Sequence, residues 1–100
     1  MITDDQQKVR QEVFDRLKKV LTALLKIFRE RDIQKRPKLD WETDLVDDLG
    51  VDSLESMDLM NAIEEEFQVS PNLEEANSKR KLSEIVDYII TLQEHKKIRR

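Results

Sequence analysis

The stretch LGVDSLESMDLMNAIEEEF, Leu49 to Phe67, contains the only glycine of this 100-residue chain. Its apolar residues recur every three or four positions, a spacing that is typical of an amphipathic helix. Asp52 and Glu55 have the spacing of a helix N-cap residue and the acidic residue three positions later. The sequence therefore predicts a helix over about residues 52–68, with Ser53 in its first turn.

A helical wheel divides this predicted helix into two faces. The apolar face is assigned to the core and consists of Leu59, Met60, Ile63 and Phe67. The opposite face mixes two apolar side chains with polar and acidic ones: Leu54, Met57, Asp58, Asn61, Glu64 and Glu65. Single exposed apolar residues are ordinary, whereas apolar anchors inside a negative rim are typical of a protein-binding surface. The pattern alone leaves both interpretations open.

The rest of the chain predicts helices on both sides of this segment. Thr3 to Gln6 form a capping box, and apolar residues at helical spacing extend a basic first helix over about residues 4–31. Pro37 prevents its continuation, so a long ordered loop is expected at 32–51. A short helix at 73–78 and a last helix at 81–95 complete the pattern. We predict a single all-α domain over 1–100, a small bundle of three main helices, a short extra helix and a long first loop.

The charge of the chain is unevenly distributed, although the net charge is only -4. Residues 1–38 hold 11 Lys/Arg and 6 Asp/Glu, residues 39–78 hold 13 acids and no base, and residues 79–100 hold 7 bases and 3 acids. The acidic middle of the chain is therefore expected to meet cationic partners.

The charged side of the basic first helix is predicted to face solvent. Its bases alternate with acids and lack interleaved aromatic residues, which argues against a nucleic-acid partner. Contact with an anionic membrane surface or with a second copy of the chain through this helix is the alternative. Phe14 and Leu25 flank its core stripe, where they would widen an apolar surface for such pairing.

Composition and spacing exclude several kinds of site. The absence of cysteine excludes disulfides and thiolate metal sites, and no nucleophile elbow surrounds Ser53 to suggest a serine enzyme. The only histidine, His95, belongs to the basic tail. No apolar run approaches the roughly 20 residues of a membrane span, and the N-terminus lacks a signal pattern, so a cytoplasmic location is expected.

Four carboxylates have the spacing of ligands in an EF-hand calcium loop: Asp44, Asp48, Asp52 and Glu55. The loop needs an oxygen ligand where Val46 stands and glycine where Leu49 stands. No dedicated metal site is therefore predicted.

Ser53 has two interpretations at the start of its helix. Serine is common at helix starts for structural reasons alone. A first-turn hydroxyl is also a favourable place for an attached phosphodiester, because free N–H groups and the positive end of the helix dipole stabilise an anion. Gly50 would allow a sharp turn just before it and leave the hydroxyl exposed.

The segment DLGVDSLESMDLMNAIEEEFQV closely resembles helix II of acyl carrier proteins, with Asp52-Ser53-Leu54 at the position of their D-S-L motif. The likeness continues into LDWETDLVDDLG before it and KLSEIVDYI after it, over about residues 39–90. It implies that a phosphopantetheinyl transferase attaches 4'-phosphopantetheine from coenzyme A to Ser53, with Asp52 and Leu54 beside it. The arm would supply the thiol that this chain lacks. The protein would then be a carrier and not an enzyme, delivering acyl thioesters in fatty acid, lipid or polyketide-type biosynthesis.

The resemblance also implies roles for other residues. Residues expected to face basic patches of transferase and synthase partners are Glu55, Asp58, Glu64 and Glu65, with Leu54 and Met57 packed at the contact. Asn61, on the same face, replaces an apolar residue of many members and points to a specialised carrier. An acyl pocket is expected among Leu45, Leu59, Ile63 and Ile85. The alternative is an unmodified carrier-fold adaptor that acts through its long first helix and tolerates Ser53→Ala.

Overall fold

The computed structural model describes the backbone of residues 4–98 and the side chains of residues 5–95, so the predicted Thr3 cap lies outside the described residues. Its α-helices are α1 (Asp4–Leu24), α2 (Ser53–Phe67), α3 (Leu73–Asn77) and α4 (Leu82–Ile98). Two 3-10 turns, Lys26–Arg29 and Ile33–Lys35, follow α1. The described residues form no strand, only an isolated bridge between Asp44 and Lys81. The all-α prediction is confirmed.

The core is a seam in which α1 packs against both α2 and α4. Side chains at helical spacing meet there and are almost completely buried: Leu17, Leu21, Leu59, Ile63, Leu82, Ile85, Val86 and Ile89. Burying each such side chain contributes about 1.5–3 kcal/mol to folding. The apolar face of α2 packs against α1. The opposite face of α2 is therefore exposed to solvent.

The first helix ends at Leu24, earlier than the predicted residue 31. Leu25 adopts an extended backbone with φ -79° and ψ 138°, and the backbone N–H of Lys26 donates to a Glu55 carboxylate oxygen at 3.0 Å. The chain leaves the helical ladder because this amide has a partner elsewhere. The long basic helix predicted over 4–31 is therefore wrong beyond Leu24.

Phe14 and Leu25 do not widen an exposed apolar surface. They are 4% and 1% exposed, respectively, and belong to the core. The helix ends just before Leu25, so the direction of that side chain departs from the one that a continuous helical wheel assigns to it. The expectation that these two residues present an apolar face for pairing is wrong.

The long first loop is ordered by contacts with α1 and α4. The Trp41 ring stacks on Phe14 with centroids 4.1 Å apart, and the Arg10 guanidinium lies 5.0 Å over the Trp41 ring. Arg10 also pairs with Asp87 of α4 at 3.0 Å. At the start of α4, Ser83 N–H donates to the Trp41 carbonyl at 2.9 Å. The loop is therefore fixed against both helices before it reaches α2.

Candidate functional site

The start of α2 is built as its sequence predicts. Asp52 is the N-cap, and its carboxylate accepts a hydrogen bond from Glu55 N–H at 2.8 Å. Gly50 has φ +63°, a left-handed conformation that glycine adopts without strain. Ser53 is the first residue of α2 and is exposed. Its hydroxyl is thus presented to solvent at the end of the helix where the backbone N–H groups lack carbonyl partners.

Asp52 is held as a carboxylate at this position. The hydrogen bond from Glu55 N–H lowers the pKa of Asp52, and Lys26, whose Nζ lies 3.6 Å from its second oxygen, adds to the lowering against partial desolvation. The helix end also favours negative charge there. Asp52 is therefore ionised at neutral pH, next to the exposed Ser53 hydroxyl.

Glu55 is placed differently from the expectation that it faces a partner. Its side chain is only 8% exposed, and its carboxylate accepts the hydrogen bond from Lys26 N–H. It points inward between the end of α1 and the first turn of α2. Glu55 is therefore a structural acid in this chain, and its assignment to the exposed docking surface is corrected.

The other residues assigned to the outer side of α2 are exposed together, and we call them the outer α2 face: Leu54, Met57, Asp58, Asn61, Glu64 and Glu65. Leu54 and Met57 are 65% and 55% exposed, and they lie among the acids of this face. Ser53 adjoins this face in the chain. The result is a surface with two apolar centres surrounded by acids.

A cleft of about 500 Å³ opens beside Ser53, and we call it the Ser53 cleft. Its apolar lining includes Leu45, Val51, Leu59, Met60, Leu73 and Ala76. Two of the four residues expected in an acyl pocket, Leu45 and Leu59, therefore line it. The other two, Ile63 and Ile85, are fully buried in the core and are not part of its lining.

Two cations that the sequence did not single out also line the Ser53 cleft: Lys79 and Arg80. Arg80 pairs with Asp44 at 3.3 Å and with Asp47 at 3.1 Å, and its carbonyl accepts from Leu45 N–H at 2.8 Å. These contacts join the loop before α2 to the segment before α4. The signal available in the sequence was the run KRK at 79–81, which directly follows the short helix.

The four carboxylates at EF-hand spacing each accept hydrogen bonds from backbone N–H groups of different residues. Asp44 accepts from the N–H groups of Val46 and Asp47, each at 2.8 Å, and Asp48 accepts from Asp44 N–H at 2.8 Å. The hydrogen bond from Asp47 N–H is the main cause that lowers the pKa of Asp44. Across the described residues, no three acids, histidines or cysteines are grouped as metal ligands.

The residues around Ser53 fit an attached phosphopantetheine. The hydroxyl is exposed, and no hydrogen bond engages it within the described part of the chain. The start of α2 favours the negative charge of a phosphodiester, and the cleft beside it offers apolar walls. A larger depression of about 650 Å³, lined by residues such as Glu65 and His95, has no Ser53 in its lining.

No described helix has the length and apolar character needed to cross a membrane.

Comparison with known proteins agrees with this geometry. Residues 15–89 match the family described as the phosphopantetheine attachment site. The chain is 35% identical over 81 residues to the acyl carrier protein of Campylobacter lari, covering 81% of this chain and 96% of that protein. It is 29% identical to that of Rickettsia bellii, covering 85% and 95%, respectively, and 36% identical to that of Buchnera aphidicola, covering 75% and 85%.

Acyl carrier proteins bear 4'-phosphopantetheine and are carriers rather than catalysts. They act by interacting with transferases and synthases, and their usual role is fatty acid biosynthesis. The match covers both the residues that build the start of α2 and the helices that surround the cleft. This chain belongs to the acyl carrier protein family.

Proposed function

We propose that Ser53 is the attachment residue of the 4'-phosphopantetheine arm of this acyl carrier. The observation that carries the proposal is an exposed, unengaged serine hydroxyl at the first residue of α2, beside a cleft with apolar walls. The arm supplies the thiol on which acyl groups are held, which a chain without cysteine does not provide.

The residues next to Ser53 prepare the site in distinct ways. Asp52 caps α2 through the Glu55 N–H group and so fixes the first helical turn in which Ser53 lies. Leu54, 65% exposed, provides an apolar contact for the transferase directly after the attachment residue. Gly50 allows the chain to turn into α2 without side-chain strain. These features expose one serine hydroxyl to the modifying enzyme.

The outer α2 face is the surface that we propose for docking transferases and synthases. Its exposed acids are Asp58, Glu64 and Glu65, and basic patches on partner enzymes would complement them. Met57 supplies an apolar centre and Asn61 a polar one. Complementary surface charge speeds the encounter between the carrier and its partner enzyme. Because salt screens this attraction, the complex stays short-lived, as a carrier that visits several enzymes requires. The partners would belong to fatty acid, lipid or polyketide-type biosynthesis.

Attachment is tested by intact mass spectrometry after incubation with coenzyme A and a broad-specificity phosphopantetheinyl transferase. The protein should gain one phosphopantetheine mass, and Ser53→Ala should gain none, because its four other serines lie at different positions in the fold. Ser70→Ala, a change at another exposed serine, serves as the matched control and should be modified normally.

Retention of the mass gain in Ser53→Ala would place the arm on another serine. No gain in the unchanged protein with several transferases would contradict the proposal and favour the alternative of an unmodified adaptor.

A further inference from the structure

Among the described cations near Ser53, Lys79 is the one that makes no ion pair, although Glu84 experiences its charge from beyond ion-pair distance. Lys79 is half-buried and lines the Ser53 cleft, with its Nζ 6.0 Å from the centre of the Tyr88 ring. Arg80 is shared between Asp44 and Asp47, and Lys26 pairs with Asp52. Among the side chains that the structure describes, no acid lies within ion-pair distance of Lys79, so an anionic occupant of the cleft could form the first direct ion pair with it.

An apolar chain alone is a poor match for this cleft. It would fill the space between Leu59, Met60 and Ala76 but would also remove water from the cationic Lys79 side chain in the lining. Removing water from an ammonium without providing a partner is unfavourable. An occupant with methylene groups along the walls and an anionic group near Lys79 would bury the same apolar area and also pair the charge.

We propose that the Ser53 cleft selects acyl groups that bear a carboxylate at the end away from the thioester. This inference rests on the proposed attachment at Ser53, which tethers the cargo beside the cleft. The apolar lining receives the methylene chain, and Lys79 receives the terminal carboxylate. Tyr88 supports the ammonium from its aromatic face, where a cation is attracted to the ring.

The test compares two cargoes of equal carbon number, hexanoyl and adipoyl, of which only adipoyl ends in a carboxylate. A transferase loads each from its coenzyme A derivative, mass spectrometry verifies loading, and thermal unfolding of each loaded protein is measured. Cargo that occupies a site only in the folded state raises the melting temperature. We expect adipoyl to raise it by about 3 °C or more beyond hexanoyl, a shift that is resolvable for a domain of this size.

Variants assign the difference to Lys79. Lys79→Met keeps the length of the side chain without its charge and should abolish the adipoyl preference, whereas Lys79→Arg should retain it. Lys81→Met is the matched control, because Lys81 lies two residues further on and does not line the cleft. The comparison is made between cargoes within each variant, so a change in the baseline stability of a variant does not affect it.

Each outcome has a defined meaning. Equal stabilisation by both cargoes, greater stabilisation by hexanoyl, or an adipoyl preference that survives Lys79→Met would overturn the inference and leave attachment at Ser53 intact. A protein that gains no mass with either derivative would refute attachment at Ser53, and the inference would fall with it.

Discussion

At the scale of single residues, Glu55 shows how one acid can serve the interior of the fold, whereas the other acids of α2 are exposed. Its carboxylate lies at the first turn of α2, where the helix dipole favours negative charge, and accepts the Lys26 N–H group. It therefore links Lys26, the first residue of the 3-10 turn after α1, to the start of α2. Asp52, three residues earlier, binds Lys26 as well, through the side-chain Nζ.

Removing the Glu55 carboxylate should destabilise the fold. We expect Glu55→Ala to lower the free energy of unfolding by about 1–3 kcal/mol, because the Lys26 N–H group loses its partner in a part-buried place. Glu55→Gln keeps an acceptor oxygen and should lose less. Urea denaturation followed by circular dichroism measures both changes.

The control for this prediction is Glu64→Ala, which removes an exposed acid from the same helix. It should change the free energy of unfolding by no more than about 0.5 kcal/mol. If Glu55→Ala and Glu64→Ala had equal effects, the structural role of Glu55 would be refuted.

At the scale of helices, the end of α1 shows the limit of prediction from spacing. The apolar residues up to Phe28 keep helical spacing, and no proline occurs before Pro37, so nothing local ends the helix at Leu24. The cause is the Glu55 carboxylate, 29 residues away in sequence. By contrast, the start of α2 was predictable because Asp52 caps a group only three residues away.

The start of α4 is stabilised by a local acid whose protonation should matter. The Glu84 carboxylate accepts hydrogen bonds from Lys81 N–H at 3.0 Å and Arg80 N–H at 3.2 Å. These bonds lower the pKa of Glu84, with the Lys81 amide as the largest cause. The same contact orders the segment that contributes Arg80 to the wall of the Ser53 cleft.

The pKa of Glu84 predicts the acid side of the stability profile. Because the folded-state pKa is below the usual value of 4.5, the unfolded chain binds more protons in that range, so stability falls as the pH falls. The contribution is fully present above about pH 5 and is lost as the pH falls through the folded-state pKa. Asp44 and Asp52, whose pKa values are also lowered, act in the same direction.

The measurement is the urea midpoint from about pH 7 to about pH 3. Glu84→Gln should lower the midpoint near neutral pH and flatten the acid side of the profile. Glu12→Gln, which removes an exposed carboxylate from α1, should leave the shape unchanged. A profile that is as steep in Glu84→Gln as in the unchanged protein would contradict the assignment.

At the scale of the whole molecule, the geometry around the proposed attachment residue could be anticipated from the sequence, but the cleft beside it could not. Residues 49–55 contain the turn, the cap and the serine within one short segment. The cleft needs the loop before α2, the short α3 and the segment before α4 to meet, and only their packing decides which side chains line it. Ile63 and Ile85 have suitable chemistry for an acyl pocket, yet both are buried in the core between the helices.

The charge asymmetry of the sequence is also partly resolved within the fold. Arg16 of α1 pairs with Glu66 of α2 at 2.9 Å, and Arg10 pairs with Asp87 of α4. In the described part of the chain, Asp58, Glu64 and Glu65 make no such pair. Basic residues of α1 therefore neutralise acids at the helix contacts, while the acids of the outer α2 face, where we propose docking, make no ion pair in the described part of the chain.

Reversal of that charge should impair transfer without unfolding the protein. We expect Asp58→Lys combined with Glu64→Lys to reduce the rate of phosphopantetheine loading by roughly tenfold or more at low salt, because steering toward a basic partner is lost. Rising salt should slow loading of the unchanged protein but have little effect on the double variant. Single-turnover loading measured by mass spectrometry at several salt concentrations gives both quantities.

The matched control is Asp5→Lys combined with Glu12→Lys, which makes the same change in net charge on the exposed side of α1. It should load at nearly the unchanged rate, since it leaves the outer α2 face intact. Both double variants should keep the helical circular dichroism of the unchanged protein, because all four side chains are exposed. Equal loading rates for the two double variants would show that net charge, and not the outer α2 face, governs encounter with the transferase.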